Sequence, residues 1–165
     1  MAAQYAMRGF HSWTVSLHTP GDMPLFMNEA WNYRKGGTDG AFTRYEVDGG
    51  DSAHIVDLWQ RPELAPGSWM YGEGMVHHGA FVVNTLSIQD QVKFEVEGLG
   101  FTDCSERKDR TYFKSIYVRT PAGALFEAAF PIGFTVDEPA ETLGSEFIIS
   151  PQFADQKEAL LARLN

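Results

Sequence analysis

The sequence predicts an α+β chain made of two diverged βαβββ modules whose mixed sheets curl into barrel-like cups. Two stretches of self-similarity carry the prediction. Gly9-Phe10-His11-Ser12-Trp13-Thr14-Val15 aligns with Met75-Val76-His77-His78-Gly79-Ala80-Phe81. Ser52-Ala53-His54-Ile55-Val56-Asp57-Leu58 aligns with Ala122-Gly123-Ala124-Leu125-Phe126-Glu127-Ala128. Between the two anchors of each copy, one run at helical spacing is followed by strand-like runs, which supplies the third observation.

In the first copy, a strand over about 9–17 leads to a helix near 21–31, where Met23, Phe26, Met27 and Ala30 recur at helical spacing. Gly36-Gly37 and Asp39-Gly40 read as a turn, and strands follow near 41–48 and 53–59. Arg61-Pro62-Glu63-Leu64-Ala65-Pro66-Gly67 reads as a linker, because paired prolines and a glycine suit neither helix nor central strand. The second copy shows a strand near 75–83, then a helix near 86–97 with Leu86, Val92 and Val96 on or near one face. Strands near 100–104, 112–119 and 123–130 complete it. From Gly133 the tail is irregular, with a short amphipathic helix near 154–164. The expected division is therefore modules at 8–60 and 74–131, a linker at 61–73 and an extension at 132–165.

Composition narrows the function classes. Thirteen Lys and Arg stand against 22 Asp and Glu, for a net charge of −9, which opposes binding to a phosphate backbone. Aromatic residues make up 13% of the chain, too many for a disordered acidic segment. No apolar run approaches the roughly 20 residues needed to span a bilayer. Met1 to Met7 has neither the basic start nor the apolar stretch of a signal peptide, and a cytoplasmic location is expected. Cys104 is the only cysteine, so neither an intramolecular disulfide nor a cysteine metal cluster is available.

The repeat also suggests chemistry. Alternate residues of a strand share a face, so His78, Ala80 and Val82 go together, as do Leu125, Glu127 and Ala129. If both faces line one cup, an imidazole and a carboxylate converge among apolar side chains. Glu127 lies in Ala124-Leu125-Phe126-Glu127-Ala128-Ala129-Phe130, where an unpaired carboxylate is costly. The alternative is a salt-bridged strand acid beside a satisfied core histidine. A third donor would complete the two-His-one-carboxylate arrangement suited to Fe(II) and oxygen. By strict alternation His77 faces away from His78. Arg110 sits in the charged stretch Arg107-Lys108-Asp109-Arg110, which reads as a solvated turn, and Tyr117 reads as a core tyrosine with its hydroxyl at the rim. Cys104 reads as a small buried residue.

Several stretches then resemble a known family. His77-His78-Gly79-Ala80-Phe81, Arg8-Gly9-Phe10-His11-Ser12-Trp13-Thr14, Gly98-Leu99-Gly100-Phe101-Thr102-Asp103, Tyr117-Val118-Arg119-Thr120-Pro121 and Ser150-Pro151-Gln152-Phe153 are similar to the ring-cleaving hydroquinone dioxygenases, including dichlorohydroquinone dioxygenase. These belong to the vicinal-oxygen-chelate superfamily, with the glyoxalases and bleomycin-resistance proteins. The resemblance implies that His78 and Glu127 are two of three iron ligands, and that His77, Arg110 and Tyr117 surround a bound hydroquinone. It implies Fe(II) as cofactor, with Mn(II) as an alternative, and a small aromatic substrate plus O2 as partners, without nucleic acid or membrane.

The chain resembles only the second half of such enzymes. The third ligand belongs to the first half, and the matching place here is His11-Ser12, with Ser12 at the ligand position itself. His11, Asp57 or another chain are the remaining sources, which leads to an expected homodimer or pairing with an N-terminal-half chain. The implied function is an Fe(II)-dependent ring-cleaving dioxygenase, or its C-terminal half, acting on a hydroquinone-type aromatic, chlorinated ones included. The alternatives are a non-catalytic module for aromatic binding or assembly, and a metal-dependent isomerase or lyase. Asp57 motivates the last, since with His78 and Glu127 it would form a harder, Mn(II)-tolerant set.

Overall fold

Each repeat folds as a strand, a helix and three further strands. The computed structural model describes residues 9–67, 70, 72–133 and 138–163; Met1 to Arg8, part of the expected linker and the end of the expected tail helix at Leu164 lie outside the described residues. The first repeat contains β1 (Ser12–Leu17), α1 (Met23–Leu25) running into a π-helical turn (Phe26–Ala30), β2 (Arg34–Asp39), β3 (Phe42–Glu46) and β4 (Ile55–Gln60). The second contains β5 (Gly79–Val82), α2 (Leu86–Gly98), β6 (Lys108–Asp109), β7 (Phe113–Arg119) and β8 (Leu125–Pro131). The strand orders are β1-β4-β3-β2 and β5-β8-β7-β6, the same topology twice. In both sheets the first and last strands pair in parallel and the other pairs are antiparallel.

Two elements depart from expectation. Gly36 and Gly37 lie within strand β2, at a register shift opposite β3, and the turn falls one step later at Gly40-Ala41. All six residues of β2 are exposed, so this edge strand has no buried face to impose an alternating pattern. A Cβ at Gly36 would stand 2.7 Å from the Glu46 carboxylate, the flexible end of a side chain that can move aside. In the second repeat, 100–104 forms no strand of its own; Cys104 makes a single antiparallel bridge to Val118, and the edge strand is β6. The tail forms a 3-10 turn (Pro151–Gln156) and then α3 (Lys157–Leu161).

Helix α2 is well specified at both ends. The Thr85 hydroxyl accepts from the Ile88 amide at 3.1 Å, a side-chain N-cap. Beyond the helix, Gly100 adopts φ +88°, and the amides of Gly100 and Phe101 return to the carbonyls of Glu97 and Val96.

The two repeats share one apolar core. Phe126 of β8 packs on Trp13, Phe26, Trp31 and Phe81, with ring centroids 4.8–5.8 Å apart. Trp13 of β1 lies directly on Gly79 of β5, and a Cβ at Gly79 would fall 2.1 Å from the indole. The modules thus meet along their first strands. Among the described residues, no helix is long and apolar enough to cross a membrane.

Candidate metal centre

Strand register assembles the site. Ala80 of β5 and Tyr117 of β7 both pair with Glu127 of β8, one from each side. His78, two residues before Ala80, immediately precedes β5 and shares its cup-facing parity. Its Nε2 stands 2.8 Å from Oε2 of Glu127, which is only 6% exposed. Phe126 and Ala128, on the opposite parity, enter the shared core. The carboxylate is therefore held by a strand buried along most of its length.

His77 does not face away, contrary to strict alternation. His77 lies a residue further out from β5, beyond the reach of its pleat, and its Nδ1 lies 2.7 Å from that of His78. A neutral His78 that donates Nε2–H to Glu127 has Nδ1 as an acceptor, and His77 then donates its Nδ1–H. The rings meet at 84° with centroids 5.0 Å apart.

Tyr117 and Arg110 close the other side. The Tyr117 ring meets His78 at 88° with centroids 5.6 Å apart. Arg110 Nε donates to the Tyr117 hydroxyl at 3.2 Å, and its guanidinium carbon lies 5.2 Å from the ring centroid. Burial pushes the Tyr117 phenol above its ordinary value; the Arg110 bond pulls it back, and the Glu127 carboxylate pushes it up. All five residues singled out from the sequence thus form one contiguous cluster, from His77 through His78, Glu127 and Tyr117 to Arg110. A cleft of about 390 Å³ opens beside the histidines, lined by Trp13, Met75, Val76 and Leu125 among others.

The donor set suits a divalent cation only in part. His78 Nε2 and a Glu127 oxygen converge, and a cation taking the place of the proton between them would have one nitrogen and one oxygen ligand. Among the described residues, no group of three or more His, Cys, Asp and Glu side chains comes together to hold a metal. His11 Nδ1 is instead 2.9 Å from the Ser52 hydroxyl.

The first module holds the counterpart of this site in altered form. Thr14 pairs with Asp57 as Ala80 pairs with Glu127, so Ser12 stands where His78 does. Arg44 pairs with Asp57 as Tyr117 pairs with Glu127. Arg44 Nε and Nη2 donate to the two Asp57 oxygens at 2.9 and 3.0 Å, so that carboxylate already has a cation. A cavity of about 360 Å³ lies over the pair, lined by Gly37, Asp39 and Phe42. Sequence reasoning missed Arg44; its place opposite Asp57 in the β3–β4 pairing was the available signal. Cys104 is half-buried, and burial pushes its thiol up, which keeps it protonated.

No protein-family model matches the chain. A chlorohydroquinone/hydroquinone 1,2-dioxygenase of Sphingobium indicum is 49% identical over 162 residues, covering 98% of this chain and 50% of that enzyme. A solved glyoxalase/dioxygenase of Nostoc punctiforme superposes with a TM-score of 0.65 at 15% identity, over 81% of this chain and 97% of that one. The chain has the vicinal-oxygen-chelate fold. A dioxygenase-named protein of Bacillus subtilis gives a TM-score of 0.74 at 30% identity, covering 95% of this chain and 49% of that one. The chain spans about half the length of the Sphingobium and Bacillus relatives it matches.

Proposed function

We propose that the chain is the ligand-bearing half of an Fe(II)-dependent ring-cleaving dioxygenase for hydroquinone-type aromatics, chlorinated ones included. One observation carries the reading: His77, His78, Arg110, Tyr117 and Glu127 form one cluster in a chain 49% identical to half of a chlorohydroquinone/hydroquinone dioxygenase. His78 and Glu127 would hold the metal. When bound, Fe(II) supplies the one-electron chemistry needed for O2 to react with a phenol. His77, an exposed residue hydrogen-bonded to His78, would exchange a proton with a ring hydroxyl. Arg110 and Tyr117 offer N–H and O–H donors where negative charge develops on substrate oxygen. The apolar walls of the adjoining cleft, Trp13, Met75 and Val76, suit an aromatic ring.

The missing ligand defines the partner. The chain covers 50% of the Sphingobium enzyme, and a separate N-terminal-half chain or a second copy would supply the third donor. The test is anaerobic Fe(II) loading of the chain alone and with the N-terminal half of that relative, followed by oxygen uptake with hydroquinone. Turnover is expected with the partner half and is lost in His78→Ala and Glu127→Gln. Iron binding that survives both substitutions overturns the reading. Metal analysis of protein purified without added metal separates iron from manganese. The two-ligand set of the lone chain also favours a second reading, an aromatic-binding module, whose signature is hydroquinone binding without oxygen uptake under every pairing.

A further inference from the structure

We infer that Gln89, an amide sealed inside the second module, is a positioning residue for the metal centre. It is 0% exposed on the inner face of α2. Its Nε2 donates both hydrogens, to the Ala128 carbonyl at 2.7 Å and to the Lys114 carbonyl at 2.8 Å. Its Oε1 accepts from Arg107 Nε at 2.6 Å. Only one orientation of the amide serves two carbonyls and a guanidinium at once, so the network fixes it.

Each bond leads to the site. Ala128 follows Glu127 on β8, so the first bond pins the strand at the residue after the carboxylate. Lys114 lies on β7, the strand that carries Tyr117. Arg107 begins the segment ending at Arg110, and it is further tied to the first turn of α2 through the Leu86 carbonyl and the Asp90 carboxylate. One side chain thus links the carriers of Glu127, Tyr117 and Arg110 to a single helix. A bulk structural role would be served by an apolar residue here, at the position that shares a face with Val92 and Val96. An amide with every hydrogen bonded is instead suited to setting directions.

Its functional meaning rests on the reading of His78 and Glu127 as metal ligands, but its test does not need metal. In the full chain with isotope-labelled histidine, the His78 imidazole resonances, assigned through His78→Ala, report its contact with Glu127. Gln89→Glu keeps the acceptor for Arg107 and loses both donor bonds; Gln89→Met loses all three. Both variants are expected to move the His78 resonances towards their positions in Glu127→Gln. Thr85→Ala, which weakens the same helix without touching the amide, is expected to leave them in place. In parallel, Co(II) affinity is expected to fall roughly tenfold or more in both Gln89 variants. Moved resonances in a chain that binds no Co(II) leave the positioning role standing and remove the metal reading. Unmoved resonances in both variants overturn the positioning role, and so does loss of the fold in both, which would make Gln89 structural alone.

Discussion

Tyr117 is the side chain whose surroundings make the most direct prediction. Burial raises its phenol, Arg110 lowers it and Glu127 raises it. In the metal-free chain, phenolate absorbance should show a tyrosine titrating above the usual value of about 10, and Tyr117→Phe should remove it. Arg110→Gln should push that titration higher, while Glu127→Gln should bring it down. A proton held more tightly in the folded state contributes stability below the unfolded pKa, and this contribution disappears as pH rises through the folded one. A titration unmoved by either neighbour would show that the three groups do not interact. His78 and Glu127 were legible from the sequence, because an acid in an apolar strand needs a partner and parity supplied one. The tilt of His77 towards His78 was not, since it depends on where the strand begins. Arg110 and Tyr117 followed only from resemblance; the charged run around Arg110 conceals that its guanidinium reaches back over a ring on β7.

At the scale of elements, α2 and its cap support the cup from behind. Removing the Thr85 hydroxyl with Thr85→Ala should cost about 1 kcal/mol, read by denaturant unfolding. No change in midpoint would mean that water replaces the cap. Strands β7 and β8, which carry Tyr117 and Glu127, were visible in sequence because their buried residues run largely apolar. Strand β2 was hidden for the opposite reason: it is wholly exposed, and its glycines imitate a turn. Helix α2 was read from its apolar residues, which left unnoticed that Gln89, a polar residue, is its most buried position along with Val96. A buried amide carries no sequence signal until its partners on β7 and β8 are known.

Across the whole molecule, the two modules differ in how their cup carboxylates are neutralised. Asp57 has the Arg44 guanidinium, whereas Glu127 is met by the His78 imidazole and the Tyr117 hydroxyl. Binding of a divalent cation should therefore occur once per chain, and its apparent affinity should fall as pH is lowered because protons compete for the His78 nitrogen and the Glu127 oxygen; two equivalents per chain by calorimetry would contradict this. The modules are joined tightly at β1 and β5. Gly79→Ala should drive the Trp13 ring from its seat and cost about 1–3 kcal/mol, measured by chemical denaturation. If the substitution is silent, the contact between first strands does not hold the modules together. That contact has an optical consequence. Trp13 and Trp31 both lie against Phe126, the neighbour of Glu127, and Trp13 also covers the residue after His78. Two indoles are thus built into the seam behind the candidate metal centre, and their emission should redden when the seam admits water. With Trp59 and Trp69 replaced by Phe, ultraviolet fluorescence could then follow both separation of the modules and filling of the site, with no label attached.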